Sequence, residues 1–182
     1  MNLRPTLITI LSLLLVGVQF VETGSARAAT AVATINSISA NGVGGPLGTV
    51  IFTDSAQGLV ITPKLTGLPP GKRGFHIHDK GNCGPGINQG KSAAGFAAGG
   101  HYDPAHTRKH LGPLNSGGHL GDLPVLLVND HGDADEAVTA PHLTVGQIRG
   151  RSIMIHAGGD NYADTPLPLG GGGARIACGV IQ

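Results

Sequence analysis

Residues 79–122 form a long tract of Gly, Ala, Asn, Pro and His with no apolar period. A tract of that length cannot order itself by burying a core, so it is either disordered or held by something other than packing. Its histidines favour the second. His101, His110 and His119 recur with eight residues between neighbours, and Asp122 follows with two between. Three imidazoles and one carboxylate make up the four-ligand set of tetrahedral zinc, and a bound metal can order a loop that has no core of its own. Glycines at 99, 100, 117, 118 and 121 let the backbone bend while the ligands converge. A solvated histidine-rich loop is the competing reading.

The stretch before this tract, residues 74–83, reads GFHIHDKGNC. Successive side chains of a strand point to opposite faces, so His76 and His78 share one face while Phe75 and Ile77 enter a core from the other. Imidazole is the commonest metal ligand among side chains, so the pair is half of a second metal site. His156 ends another strand-like run, SIMIH at 152–156, and supplies a third imidazole, a donor type that suits copper(II). Met154 lines the wall of that site rather than binding. His106, His131 and His142 read as surface residues, and 102–104 as a turn.

Further short apolar runs at 31–38, 48–53, 58–65, 124–128, 136–140 and 174–181 read as strands, with a turn at 42–46 and a hairpin connection at 54–57. Pro63 marks an edge strand or an irregular end, because proline cannot donate to a ladder. No stretch reads as an amphipathic helix. About eight short strands with turn signals between them indicate an all-β sandwich or barrel. Two long loops leave it, 79–122 and 157–173, each directly after a histidine-bearing strand. Aromatic residues are 3% of the chain and Trp is absent, so the core is built from Val, Ile, Leu and Ala.

Arg4 precedes a mostly aliphatic run at 7–21, and Gly24 opens a small-residue segment, GSARAA. This is the anatomy of a secretory signal peptide, assigned to residues 1–28, with the folded domain at 29–182. Removing it takes away Arg4, Arg27 and Glu22 and leaves 10 basic and 10 acidic side chains. That balance points to neither nucleic acid nor an anionic membrane. No second apolar stretch approaches the roughly 18 residues of a membrane span. The two cysteines, Cys83 and Cys178, can pair in an oxidising compartment or remain buried thiols.

Taken together, GFHIHDKGNC at 74–83, AGGHYDPAHTRKHLGPLNSGGHLGDLPV at 98–125, HAGGDNY at 156–162 and GGARIACGVI at 172–181 resemble copper/zinc superoxide dismutase in its bacterial exported form. The resemblance covers essentially all of residues 30–182. It implies an eight-stranded Greek-key β-sandwich or barrel with two long functional loops. It implies dismutation of superoxide to O2 and H2O2 by a redox-cycling copper, protecting the cell envelope. His76, His78, His101 and His156 match the copper ligands. His101, His110, His119 and Asp122 match the zinc ligands, with His101 bridging the two metals. Asp160 matches the carboxylate joining a copper-ligand to a zinc-ligand histidine, Arg175 the arginine beside copper, and Cys83–Cys178 the family disulfide. The second loop contains no lysine, so steering of the anion falls to the first loop, with Lys91 the candidate. The implied address is the periplasm. Superoxide is the one implied partner, and homodimer and monomer both stay open. The rival reading is a non-catalytic copper/zinc-binding or buffering protein of the same fold, which needs neither Arg175 nor Asp160.

Overall fold

A computed structural model describes residues 27–182; the leader assigned to 1–28 falls almost wholly outside them. Period-2 burial builds the core. On β1 (Thr30–Ser39), Ala31, Ala33 and Ile35 face inward; on β2 (Gly42–Ser55), Val50 and Phe52; on β3 (Gly58–Leu65), Leu59, Ile61 and Leu65. Phe75 and Ile77 of β5 (Phe75–His78) and Ile153 and Ile155 of β10 (Ser152–His156) complete it. Fully burying each Val, Leu, Ile or Phe among them stabilises by about 1.5–3 kcal/mol.

The remaining strands are β4 (Gly71–Arg73), β6 (Gly86–Asn88), β7 (Lys91–Ala93), β8 (Leu126–Val128), β9 (Val138–Ala140) and β11 (Arg175–Val180). The main sheet runs β5-β10-β11-β1-β2-β3-β9, and β4 pairs with β8. β4 and β5 are one stretch interrupted at Gly74, and β6–β7 is a hairpin within the first long loop. The barrel proper therefore has eight strands. The chain crosses between β3 and β4 and again between β9 and β10, which gives the Greek-key path.

Several sequence expectations shift. The turn expected at 42–46 is strand: β2 starts at Gly42, and the reversal is the two-residue Ala40-Asn41 turn, with Gly42 at φ 136°. The β2–β3 connection is shorter than 54–57, because Asp54 and Ser55 still pair with Leu59 and Gly58. The first long loop is not wholly irregular, since it carries the β6–β7 hairpin. A short helix, α1 (Val145–Ile148), is too brief to show a period; Asp54 Oδ1 accepts from Val145 N at 2.7 Å and pins its start. Pro63 lies past the β9 pairing, which covers only Leu59–Ile61, and before the isolated Leu65–Ala134 bridge. It thus occupies the one gap in that edge where a missing N–H does no harm.

The first loop returns to the barrel at both ends. β5 pairs with β10 on one edge. Its other edge is covered by the loop, with His78 bridged to His101 and His76 to Asp122. Ile77 N donates to Gly121 O at 2.9 Å and Tyr102 N to Ile77 O at 2.8 Å. A Cβ on Gly121 would run into the Ile77 carbonyl, so only glycine allows this approach.

Candidate metal centre

The two loops fold over the outer face of β5 and bury all six clustered imidazoles: His76, His78, His101, His110, His119 and His156 are each at most 9% exposed. His156 reaches them through a register shift between Ile155 and His156, which sets His156 opposite Arg175 of β11. Its N–H donates to the Gly74 carbonyl at 2.9 Å.

The side chains form two donor groups that share one member. His76, His78, His101 and His156 converge with donor atoms within 4.8 Å of one another, as do His101, His110, His119 and Asp122. His101 stacks on His76 with ring centroids 4.0 Å apart, its Nδ1 2.9 Å from Asp122 Oδ1. Its Nε2 faces the other group. A third convergence, His76, His110 and Asp160, is a hydrogen-bonded bracket. Asp160 Oδ2 accepts from His76 Nε2 at 2.7 Å and Oδ1 from His110 Nε2 at 2.8 Å. The Tyr162 N–H donates to Oδ1 at 2.7 Å. Gly170, at φ 70°, packs where a Cβ would collide with Asp160 Oδ1.

Whether these groups fit metals is decided by the ring nitrogens. His78 Nδ1 lies 3.0 Å from the Gly99 carbonyl and His156 Nδ1 3.3 Å from that of Gly173. Four nitrogens aimed into the two groups make no hydrogen bond, His76 Nδ1, His78 Nε2, His101 Nε2 and His156 Nε2, all buried, while His110 Nδ1 and His119 Nδ1 face Asp122 at 3.0 and 3.4 Å. Leaving one buried polar atom unsatisfied costs about 1–3 kcal/mol. Four would consume a sum comparable to the whole stability of a domain, about 5–15 kcal/mol. Metal coordination is what satisfies such atoms, and the partners on the far nitrogens of His76, His78, His110 and His156 fix the tautomer and aim of those rings. A nitrogen-rich set with an open side suits copper, and three imidazoles with one carboxylate suit zinc.

Arg175 lies half-buried beside the first group. Its Nη1 donates to Gly95 O at 2.7 Å and Nη2 to Gly99 O at 2.8 Å, and the guanidinium stacks 4.4 Å from the Phe96 ring. Gly99 O thus orients both His78 and Arg175. Burial lowers the Arg175 pKa to about 10, leaving it charged at neutral pH. Met154 is fully buried in a small apolar cluster with Ile38, Ala98 and Cys178. Cys83 and Cys178 are disulfide-bonded. His106, His131 and His142 are exposed, as is Lys91 on β7.

Sequence reasoning missed five contributors. Asp164 Oδ2 accepts from His110 N at 3.0 Å and Oδ1 from Leu169 N at 3.2 Å, tying the second loop to the first. The Tyr162 hydroxyl accepts from Val125 N at 3.0 Å. Tyr102, read only as part of a turn, is buried, with the Arg151 guanidinium 3.6 Å over its ring. The Gly99 and Gly173 carbonyls hold rings. An acidic residue four positions after Asp160 was the one available signal.

Burial holds His76, His78, His101 and His156 below the ordinary imidazole value, His101 at about 3 with the neighbouring His76 adding to the effect. Burial opposes ionisation of Asp122 and Asp160, but hydrogen bonds from the histidines outweigh it and keep both carboxyls below their usual range. His110 moves the other way: burial lowers it, yet Asp122 and Asp160 raise it to about 9. In the metal-free protein the four depressed histidines stay neutral below pH 6.5, where their unfolded counterparts take up protons. Their stabilisation is present above that pH and is lost as pH falls, with the two carboxylates adding to the loss further down. The His110 contribution is complete below pH 6.5 and fades as pH rises through about 9. The Tm of metal-free protein should therefore fall by at least about 5 °C from pH 7 to pH 5. A flat thermal-unfolding profile across that interval would contradict the burial of neutral imidazoles.

The family description "Copper/zinc superoxide dismutase (SODC)" matches residues 47–181. The chain is 53% identical over 158 residues to "Superoxide dismutase [Cu-Zn] 2" of Salmonella typhimurium, covering 86% of this chain and 91% of that protein. Among solved structures it is similar to the Cu/Zn superoxide dismutase from Brucella abortus, with TM-score 0.82 and 46% identity over 85% of this chain and 100% of that one. The monomeric copper, zinc superoxide dismutase from Salmonella enterica gives TM-score 0.76 and 52% identity, again over 85% and 100%.

Proposed function

The chain belongs to the copper/zinc superoxide dismutase family, its reaction is 2 O2•− + 2 H+ → O2 + H2O2, and from that premise we propose how its residues divide the work. His76, His78, His101 and His156 hold copper; His101, His110, His119 and Asp122 hold zinc. Copper supplies the one-electron chemistry in both directions, and zinc a fixed charge with no redox chemistry.

The protein supplies the rest. The Arg175 guanidinium presents a permanent cation to the superoxide anion and orients it beside His156. His101 is held from its Nδ1 side, so Nε2 can gain and lose a proton without the ring moving, which suits delivery of a proton to the peroxide. Asp160 fixes the His76 and His110 rings together. The observation that carries this reading is the single imidazole of His101, with one nitrogen aimed at each donor group. A metal buffer would have no use for Arg175, which holds neither metal and faces the anion.

We also propose that residues 1–28 are a leader and that 29–182 form the mature domain, exported to the periplasm. The charge and small-residue anatomy of the leader supports this, and so does the Cys83–Cys178 bond, which fits an oxidising compartment. Among the described residues no helix is long and apolar enough to cross a membrane. All seven proposed ligands come from one chain, so a monomer carries a complete site, as in the monomeric Salmonella relative.

The test is metal content and superoxide consumption of the purified mature protein. One copper and one zinc per chain are expected, and His156→Ala should lose copper and activity while keeping zinc. Zinc alone in the unmutated protein would overturn the copper assignment.

A further inference from the structure

A cavity of about 210 Å³ opens beside the second donor group. Its walls include Asp103, Ala105, Ser116 and His142, and at its inner end His119 and Asp122. The other two members of that group are closed off, with His101 and His110 side chains 1% and 0% exposed. His119, at 9%, is the ring that meets the cavity. A single water needs only about 10–15 Å³ of such space, so a hydrated cation fits.

The outer wall has its own donors. The Asp103 carboxylate is held in place, accepting from Arg108 N at 2.8 Å and from Thr107 Oγ1 at 3.1 Å. His142 is exposed, with Nε2 3.4 Å from the Leu114 carbonyl, which leaves Nδ1 available. A carboxylate and an imidazole are the same donor types as the pair at the inner end. The mechanism needs neither of them.

We propose that this cavity is the entry port for zinc, and that Asp103 and His142 form an outer station that catches the ion and hands it inward to His119 and Asp122. The inference rests on the assignment of the zinc ligands above. Transfer is ligand exchange: waters leave the ion as protein donors replace them, with no change of oxidation state. A port alters how fast an ion enters and leaves, and leaves the equilibrium between the two states unchanged.

The experiment mixes metal-free mature protein with Zn2+ in a stopped-flow instrument, follows uptake with a chromophoric zinc indicator, and measures final zinc per chain. His142→Ala and Asp103→Asn should each slow uptake about three- to tenfold, a fraction of the roughly 10–10³ that a whole charged cleft adds to an on-rate. The double variant should be slower still. Ser116→Trp, which narrows the mouth, should slow uptake and release alike. Zinc affinity should be unchanged in all of them, and His131→Ala, away from the cavity, should match the unmutated protein. Unchanged rates in the double variant and in Ser116→Trp would overturn the port, as would a slowing matched by an equal loss of affinity. His119→Ala separates the two claims: full zinc uptake by that variant would sink the ligand assignment itself.

Discussion

Asp160→Ala should cost the protein tight binding of both metals at once. Its carboxylate takes the far nitrogens of His76 and His110, one ring from each donor group, and is itself steadied by the Tyr162 N–H. Losing such an outer partner typically weakens metal affinity about 10–100-fold. Here a single truncation removes the partner from two ligands of different metals. The cavity left also strands two buried ring N–H groups, each costing about 1–3 kcal/mol. Asp160→Asn should fall between the two, because its amide oxygen can serve only one ring and its NH2 meets the other donor to donor. Chelator-competition titrations for zinc and for copper provide the readout. Affinities that both stay within about twofold of the unmutated protein would show that the bracket does not orient the rings.

Replacing both cysteines, as Cys83→Ala/Cys178→Ala, should lower stability by about 4–5 kcal/mol in the chain-entropy account, since the bond closes a loop with sequence separation 95. That is a large part of the total for an ordinary domain, about 5–15 kcal/mol. The bond joins the start of the first loop to β11, three residues from Arg175. The same loop carries the Gly95 and Gly99 carbonyls that grip the guanidinium. Activity per bound copper should therefore fall along with stability. Denaturant unfolding of the metal-loaded proteins measures the first and superoxide consumption the second. A stability loss under about 1 kcal/mol would mean that the metals and the barrel already hold the loop without the bond.

The convergence of the six histidines was legible because such side chains leave marks in sequence: an i, i+2 pair on a strand, a ladder of equal spacing, a final strand histidine. The barrel was legible from alternation, as in Ile35, Phe52 and Ile61. Backbone contributions were not. The Gly99 carbonyl orients both His78 and Arg175, yet any residue has a carbonyl. The start of β2 was misread because Gly42–Pro46 looks like turn chemistry, whereas the actual reversal is Ala40-Asn41, just before Gly42. Asp164 and Tyr162 act by closing one loop onto another, a contact between residues more than 35 positions from their partners that no local pattern records.

The way the first loop lies along β5 has a consequence for solubility. An uncovered strand edge presents unpaired N–H and C=O groups that template association with other chains. Ile77 offers both on that side, and Gly121 and Tyr102 take them. The segments that cover the edge are those that contribute His101 and Asp122, and Tyr102 and Leu123 beside them anchor in the core. Whatever loosens the loop at His101 and Asp122 therefore uncovers the edge at Phe75–His78, so the segments that carry these proposed ligands also keep the molecule from adding strands to its neighbours.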